Sequence, residues 1–205
     1  SVIKEYMSKV LMVTYDSFED RKFVMAWYIW NTCDKKKRIT LQNMNSLNLS
    51  FAGIQKDELV NGEDLGMTIY FQGCSHHCPG CHNPETWAFG CGTKVPVEDI
   101  VDIVRSNPLC RGVTFSGGEC LLQSDFVARM LRLCREEGLT TAVDTCCFVP
   151  WESIAKTIPY CNTYLYDVKC ADPAVHREYT GQDNGLILEN LRKLSASGAD
   201  IWIRI

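Results

Sequence analysis

Short apolar runs alternate with longer amphipathic runs from about Met67 to the end of the chain. Most of the apolar runs are rich in β-branched and aromatic residues and are flanked by glycine or polar turns, which predicts β-strands. The predicted strands are 68–71, 112–115, 141–143, 163–166 and 201–205.

The amphipathic runs between these strands predict helices at 97–105, 125–137, 151–157 and 186–197. The first of them repeats its apolar residues at helical spacing, and the second is followed by Gly138 at the position where a helix commonly ends. Repeated strand–helix–strand order implies a parallel sheet with right-handed crossovers. The sequence therefore predicts an α/β fold, an open or partial (β/α) barrel with about five strands.

Both ends of the chain depart from this pattern. Ile205 ends the chain within a predicted strand, where an edge would expose unpaired backbone groups, so we expect a truncated C-terminus and an incomplete domain over 44–205. Residues 1–43 do not show the alternation. One hypothesis is that Met44 is the natural start and that 1–43 are extra translated sequence; the alternative is a genuine N-terminal extension.

Composition narrows the class of protein. The 205 residues are 46% hydrophobic and 22% charged, with a formal net charge of -4, which favours neither nucleic acid nor an anionic membrane as partner. No apolar run approaches the roughly 20 residues that span a bilayer, and Ser1 does not open a signal-peptide pattern. We therefore expect a cytoplasmic protein.

Twelve cysteines would suggest disulfides in a small secreted protein, but their spacing argues otherwise. Cys74, Cys78 and Cys81 lie within eight residues, while the others are scattered singly apart from the Cys146-Cys147 pair. This distribution indicates a reducing cytosol, one metal site and many free thiols.

The three clustered cysteines follow a predicted strand and can converge on one metal centre. Structural zinc normally has four ligands, and a neighbouring histidine could supply the fourth. The candidates are His76, His77 and His82. Iron–sulfur clusters are commonly held by four cysteines, so three would leave one iron free to bind something else.

Polar residues also follow the next three predicted strands. Alone, each group fits an ordinary turn or a polar cap on a strand end. In α/β barrels, however, the carboxyl ends of the strands form the active site, which makes their joint placement informative. These residues are Gly117, Gly118, Glu119, Asp144, Thr145, Asp167 and Lys169.

The pattern Cys74-x3-Cys78-x2-Cys81 resembles the signature of the radical SAM superfamily, and residues 82–87 (HNPETW) resemble the activating enzymes of glycyl radical enzymes. The resemblance implies a partial TIM-like barrel in which the three cysteines hold a [4Fe–4S] cluster. S-adenosylmethionine (SAM) would chelate the fourth iron and be cleaved reductively to a 5′-deoxyadenosyl radical. That radical would take a hydrogen atom from a glycine of a partner enzyme.

The resemblance also implies roles for the other strand-end residues. Gly117, Gly118 and Glu119 would bind the methionyl end of SAM. Asp144, Thr145 and Asp167 would help to bind a monovalent cation beside SAM, and Lys169 would lie near SAM. The chain departs from the family pattern at Cys120, where proline is usual, and at Cys147, where glycine is frequent.

Further stretches suggest two particular branches of the family. Residues 172–191 resemble the pyruvate formate-lyase activating type; within them, we interpret His176 as a surface or capping histidine. Residues 52–54, 60–63 and 78–81 resemble the activating proteins of anaerobic ribonucleotide reductase. The expected partners are a glycyl radical enzyme and a flavodoxin or ferredoxin-type electron donor. Open alternatives are radical SAM chemistry on a small molecule, an activator of anaerobic ribonucleotide reductase, an electron-transfer iron–sulfur protein and a zinc protein.

Overall fold

The computed structural model describes residues 48–58 and 66–205, which belong to one compact unit, Ser46–Ile205. The hypotheses about residues 1–43 and the resemblance at 60–63 lie outside the described residues.

Seven strands form one sheet within the described part of the chain. Their order across the sheet is β3-β1-β2-β4-β5-β6-β7, and β2, β4, β5, β6 and β7 run parallel. The strands are β1 (Asn48–Glu58), β2 (Gly66–Phe71), β3 (Thr93–Pro96), β4 (Gly112–Gly117), β5 (Thr140–Thr145), β6 (Thr163–Asp167) and β7 (Asp200–Arg204). The five predicted strands are thus confirmed as a parallel array.

Five α-helices connect or cover these strands in the same part of the chain. They are α1 (Val97–Arg105), α2 (Ser124–Glu136), α3 (Trp151–Ala155), α4 (Pro173–Thr180) and α5 (Gly185–Ala196). The four predicted helices are confirmed to within a few residues at their ends. Gly138 takes φ +76°, the left-handed conformation that ends a helix without steric cost.

Two strands and one α-helix of the structure were not predicted from the periodicity. Strands β1 and β3 extend the parallel array by antiparallel pairing, with Phe51 opposite Phe71 between β1 and β2. Helix α4 begins after Asp172, whose carboxylate accepts hydrogen bonds from the amides of Ala174 and Val175 at 2.8 and 3.0 Å. The mixed α/β sheet is open, as expected for a partial barrel.

The core lies where the central strands meet the helices. Ile69, Phe115, Val143 and Tyr166, on four neighbouring parallel strands, are fully buried. Parallel strands covered in this way are apolar along most of their length, and polar side chains are left for their ends. No helix among the described residues is both long and apolar enough to cross a membrane.

Candidate active site

The carboxyl ends of the five parallel strands meet at one edge of the sheet. Register places Phe71 beside Gly117, Thr145 beside Tyr166 and Asp167 beside Arg204. The loop of residues 74–81, here called the cysteine loop, follows β2 directly. Every residue proposed above for cluster or SAM binding therefore lies at or just after a strand end on this edge.

The cysteine loop is held by backbone hydrogen bonds. Gly73 and Cys74 donate their amides to the carbonyls of Thr86 and Trp87, at 2.7 and 3.1 Å. Further along, the amide of Cys81 donates to the carbonyl of Cys78 at 3.0 Å, which closes a tight turn between these two cysteines. Cys74 is buried, whereas Cys78 and Cys81 are half-buried.

The thiols influence one another electrostatically. Burial raises the pKa of Cys74 to about 11, and the negative charges of Glu119, Cys78 and Cys81 add to that rise. Burial also raises the pKa of Cys78, against the opposing effect of the Lys169 ammonium. Bound metal would offset the raised pKa values, because it deprotonates a coordinating thiol.

The donor set fits an iron–sulfur cluster. The amide of Asn83 lies 3.4 Å from the Cys81 sulfur and donates to it, a contact that is known to tune cluster potentials. Among the described residues, no three histidine, cysteine or acidic side chains gather around a point where a single ion could bind. A cluster does not need such a point, because its cysteines bind separate iron atoms.

The paired glycines dock the end of β4 against the start of the cysteine loop. Gly117 has φ +116°, and a Cβ atom on Gly118 would overlap the Gly73 carbonyl oxygen. The amide of Gly118 donates to the Phe71 carbonyl at 3.0 Å, and that of Glu119 donates to the Gly73 carbonyl at 2.8 Å. Only glycine permits this approach. The SAM contact expected of these glycines stays a prediction.

Glu119 is fully buried, and neighbouring protein groups engage both of its carboxylate oxygens. The hydroxyl of Thr145 donates to the two oxygens at 2.7 and 2.8 Å. The amides of Leu121 and Cys146 donate at 3.0 and 3.1 Å, and the Cys146 thiol donates at 3.2 Å. Burial raises the pKa of Glu119, while the hydrogen bonds from Thr145, Leu121 and Cys146 oppose the rise. Its SAM contact stays a prediction, and its hydrogen bonds to Thr145 and Cys146 join the end of β4 to β5.

A second acidic group lies nearer the solvent. Asp144 accepts a hydrogen bond from the hydroxyl of Ser116 at 2.8 Å and forms an ion pair with Arg204. Arg204 also donates to Asp167 at 2.7 Å, and Lys169 pairs with the other oxygen of Asp167. Two carboxylates and two cations thus alternate across the ends of β5, β6 and β7.

Burial and these charges act against each other. Burial raises the pKa of Asp144, while Arg204 lowers it. For Lys169, burial alone would lower the pKa, but the neighbouring Asp167 carboxylate outweighs it, so that the pKa is raised. Lys169 therefore carries its charge at neutral pH. The proposed cation site stays a prediction, and Arg204 lies between its two carboxylates.

Sequence reasoning missed two residues of this region. Arg204 ends the fifth parallel strand, and its position beside two acidic strand ends was the available signal. The expectation that His176 lies at the surface is wrong, because its side chain is fully buried. The capping part of that interpretation agrees with the contact between its Nδ1 and the carbonyl oxygen of Gln182, just beyond the end of α4. Its ring lies edge-on to that of His76 in the cysteine loop, with centroids 5.7 Å apart.

His76 is also buried. Burial, with smaller contributions from His176 and Lys169, lowers the pKa of His76 to about 4, so its ring is neutral at physiological pH. Its second aromatic neighbour is Phe148, whose ring centroid lies 5.1 Å away in an edge-on arrangement. Of the histidines considered as zinc ligands, His76 is thus packed among other rings, while His77 and His82 are exposed.

A protein-family model described as the Radical SAM superfamily matches residues 68–205. The match spans all five parallel strands apart from the first residues of β2, together with the cysteine loop. The chain therefore belongs to the radical SAM superfamily.

Two curated relatives are named as activating enzymes. The chain is 33% identical over 156 residues to a pyruvate formate-lyase-activating enzyme of Clostridium pasteurianum, covering 74% of this chain and 65% of that protein. It is 39% identical over 119 residues to a (2S)-3-sulfopropanediol dehydratase activating enzyme of Klebsiella oxytoca, covering 56% and 38%. The chain thus spans less than two thirds of the length of either relative.

A solved structure shares the fold. Streptococcus suis SuiB bound to the precursor peptide SuiA superposes with a TM-score of 0.56 at 20% sequence identity. The match covers 66% of this chain and 31% of that chain. The likeness confirms the architecture of the predicted partial barrel.

Proposed function

We propose that this protein is an activating enzyme that installs a radical on a glycine of a partner glycyl radical enzyme. The observation that carries the proposal is the cysteine loop at the carboxyl edge of the parallel sheet. Three thiols lie there beside a balanced set of acidic and basic side chains. The two relatives named as activating enzymes support the same conclusion.

In this proposal Cys74, Cys78 and Cys81 hold a [4Fe–4S] cluster. When bound, such a cluster would supply the electron for the cleavage of SAM. The products of that cleavage are methionine and a radical, and the radical takes a hydrogen atom from glycine. The chain itself provides the amide of Asn83 as donor to the Cys81 sulfur. Lys169 favours the thiolate of Cys78 over the thiol. Both contacts stabilise negative charge on the sulfur ligands.

The polar strand ends provide complementary charges for SAM. Lys169 and Arg204 are about 40% exposed and can receive its carboxylate, whereas Asp144 and Asp167 can accept hydrogen bonds from its ammonium and hydroxyl groups. Glu119 holds Thr145 in place beneath them. A monovalent cation between Asp144 and Asp167 would require Arg204 to move, so we expect the cation and this guanidinium to compete.

The proposal also includes the electron donor, the compartment and the partner protein. A flavodoxin or ferredoxin-type donor would supply the electron, and the cytoplasm would provide the reducing conditions that free thiols need. Eleven cysteines among the described residues are free thiols, which agrees with such a compartment. The partner is the glycyl radical enzyme that carries the target glycine.

The test uses the full-length protein, reconstituted anaerobically with iron and sulfide and then incubated with SAM and dithionite. We expect 5′-deoxyadenosine, together with a glycyl radical signal when a glycyl radical enzyme such as pyruvate formate-lyase is added. Cys78→Ala should abolish both products. Cys91→Ala is the matched control, because Cys91 is exposed and lies outside the cysteine loop.

The outcomes separate the competing functions. Formation of 5′-deoxyadenosine with no glycyl radical on any partner tested would favour a small-molecule substrate. A reduced cluster that leaves SAM intact would indicate an electron carrier. Zinc in place of iron in the protein purified from its natural source would contradict the proposal altogether.

A further inference from the structure

We infer that residues 176–182, here called the brace, position the cysteine loop for cluster binding. The inference rests on the proposed function, because the loop has this purpose only if it holds a cluster. The brace consists of the last part of α4 and the two residues after it. It lies about a hundred residues further along the chain than the loop that it contacts.

Two hydrogen bonds join the brace to the backbone of the loop. The amide of His77 donates to the carbonyl of Thr180 at 3.1 Å. The side-chain amide of Gln182 donates to the carbonyl of Ser75 at 3.2 Å. Both contacts fall between the first and second cluster cysteines, the longest gap in the motif.

A ring contact adds to these hydrogen bonds. His76, between the two anchored positions, is buried against the ring of His176 at a centroid distance of 5.7 Å. Three consecutive loop residues, Ser75, His76 and His77, thus each contact the brace. The spacing of Cys74 from Cys78 is fixed through the residues that separate them.

The end of α4 is built to offer these contacts. The last carbonyls of a helix have no partner within the helix, so the carbonyl of Thr180 is available to an outside donor. Gly181 takes φ +80°, and its amide donates to the Arg177 carbonyl at 2.9 Å, which turns the chain back at this point. That turn brings Gln182 over the loop.

His176 holds the turn in place. Its Nδ1 lies 2.8 Å from the carbonyl oxygen of Gln182, and because a carbonyl can only accept, Nδ1 carries the proton and donates. The hydroxyl of Thr180 accepts from the amide of Gln182 at 3.1 Å. His176 is therefore a positioning residue, which acts on the cysteine loop through Thr180, through Gln182 and through its ring contact with His76.

The test compares four variants of the full-length protein with the wild type. Gln182→Ala removes one loop contact at a half-buried position, and His176→Phe keeps a ring while removing the donor. His176→Asn restores a donor near the position of Nδ1. Glu178→Ala is the control, because Glu178 is exposed on the same helix and has no described partner in the loop.

The first readout is the rate at which an iron chelator removes the reconstituted cluster. We expect Gln182→Ala and His176→Phe to lose it about twofold to tenfold faster, the range that corresponds to one net hydrogen bond. Their reduced clusters should also show altered EPR line shapes. His176→Asn should recover most of the wild-type behaviour, and Glu178→Ala should match the wild type. Unchanged rates and spectra in all four variants would overturn the inference.

The second readout does not depend on a cluster. Hydrogen exchange of peptides covering residues 74–81 in cluster-free protein should be faster in Gln182→Ala and His176→Phe than in Glu178→Ala. If the wild type assembles no cluster but this difference is present, the proposed function fails while the brace stands. Equal exchange in all variants would refute the brace, whatever the outcome for the cluster.

Discussion

Two groups of carboxylates lie at the same edge of the sheet but have different surroundings. The inner carboxylate, Glu119, is fully buried and accepts hydrogen bonds from three neighbouring residues. The outer pair, Asp144 and Asp167, shares the half-exposed guanidinium of Arg204. From sequence alone, all three carboxylates were expected to serve cofactor binding.

The difference shows that burial decides whether a carboxylate stabilises the fold or is available to bind a ligand. If the Glu119 carboxylate were removed, the donors around it would lose their acceptor, and no water could take its place. Removal of Glu119 therefore destabilises the fold. Groups around Asp167 can turn to water or to a ligand, so its interactions are worth little to folding but are available for binding. Position at a strand end identifies the site, and the surroundings of each side chain decide its role.

The largest expected effect is that of Glu119→Ala. Thr145, Leu121 and Cys146 would each keep a buried donor without an acceptor, and such losses cost about 1–3 kcal/mol apiece. We expect the free energy of unfolding to fall by about 3 kcal/mol or more, measured by urea denaturation of cluster-free protein. A loss below about 1 kcal/mol would show that Glu119 is not a structural carboxylate.

The thiols should show the same contrast between interior and edge. Burial raises the pKa of Cys146 well above its usual range, whereas Cys81 is half-buried on the loop. Because burial favours the thiol form of Cys146 and shields its sulfur from the reagent, iodoacetamide at pH 8 should alkylate Cys146 more slowly than Cys81. Mass spectrometry gives both rates, with urea-denatured protein as control; equal rates in the folded protein would contradict the account.

A smaller effect is expected at Cys147, which among the described residues is alone in having a positive φ, +55°, without being glycine. An L side chain in this conformation costs about 1 kcal/mol. Cys147→Gly should therefore be more stable to urea than Cys147→Ala by about that amount. At Cys134, within α2, the order should reverse because alanine favours a helix. If the alanine variant were the more stable one at both positions, backbone strain at Cys147 would be excluded.

The smallest effect on folding is expected for Asp167→Asn. Its partners Lys169 and Arg204 are about 40% exposed, and such ion pairs contribute up to about 1 kcal/mol. We expect the unfolding free energy to change by less than that, while the affinity of the full-length protein for SAM, measured by calorimetry, decreases. A large loss of stability with unchanged SAM affinity would place Asp167 with Glu119.

The parallel half of the fold could be predicted because its strands are apolar and its helices are strongly periodic. Strand β3 has only four residues, and its pairing with β1 is a matter of backbone hydrogen bonds that leave little trace in side-chain pattern. Helix α4 is short, and its start is marked by Asp172 and Pro173, a cap followed by a favoured first residue. That local signal was available.

The site was predictable in outline for a different reason. Parallel strands bring their carboxyl ends together, so cysteines after β2 and acids at the ends of β5 and β6 had to share an edge. The sequence does not reveal which side chain turns inward. The burial of Glu119 and His176, and the position of Arg204 between two aspartates, depend on contacts made across the whole sheet.

The central claim is that three cysteines hold a cluster whose remaining iron is open to SAM. The most direct test is low-temperature EPR of the full-length protein, reconstituted and reduced without oxygen, recorded before and after SAM is added. The account predicts a [4Fe–4S]⁺ signal whose g values shift on addition of SAM. A protein that assembles no such cluster, or a signal that SAM leaves unchanged, would contradict it.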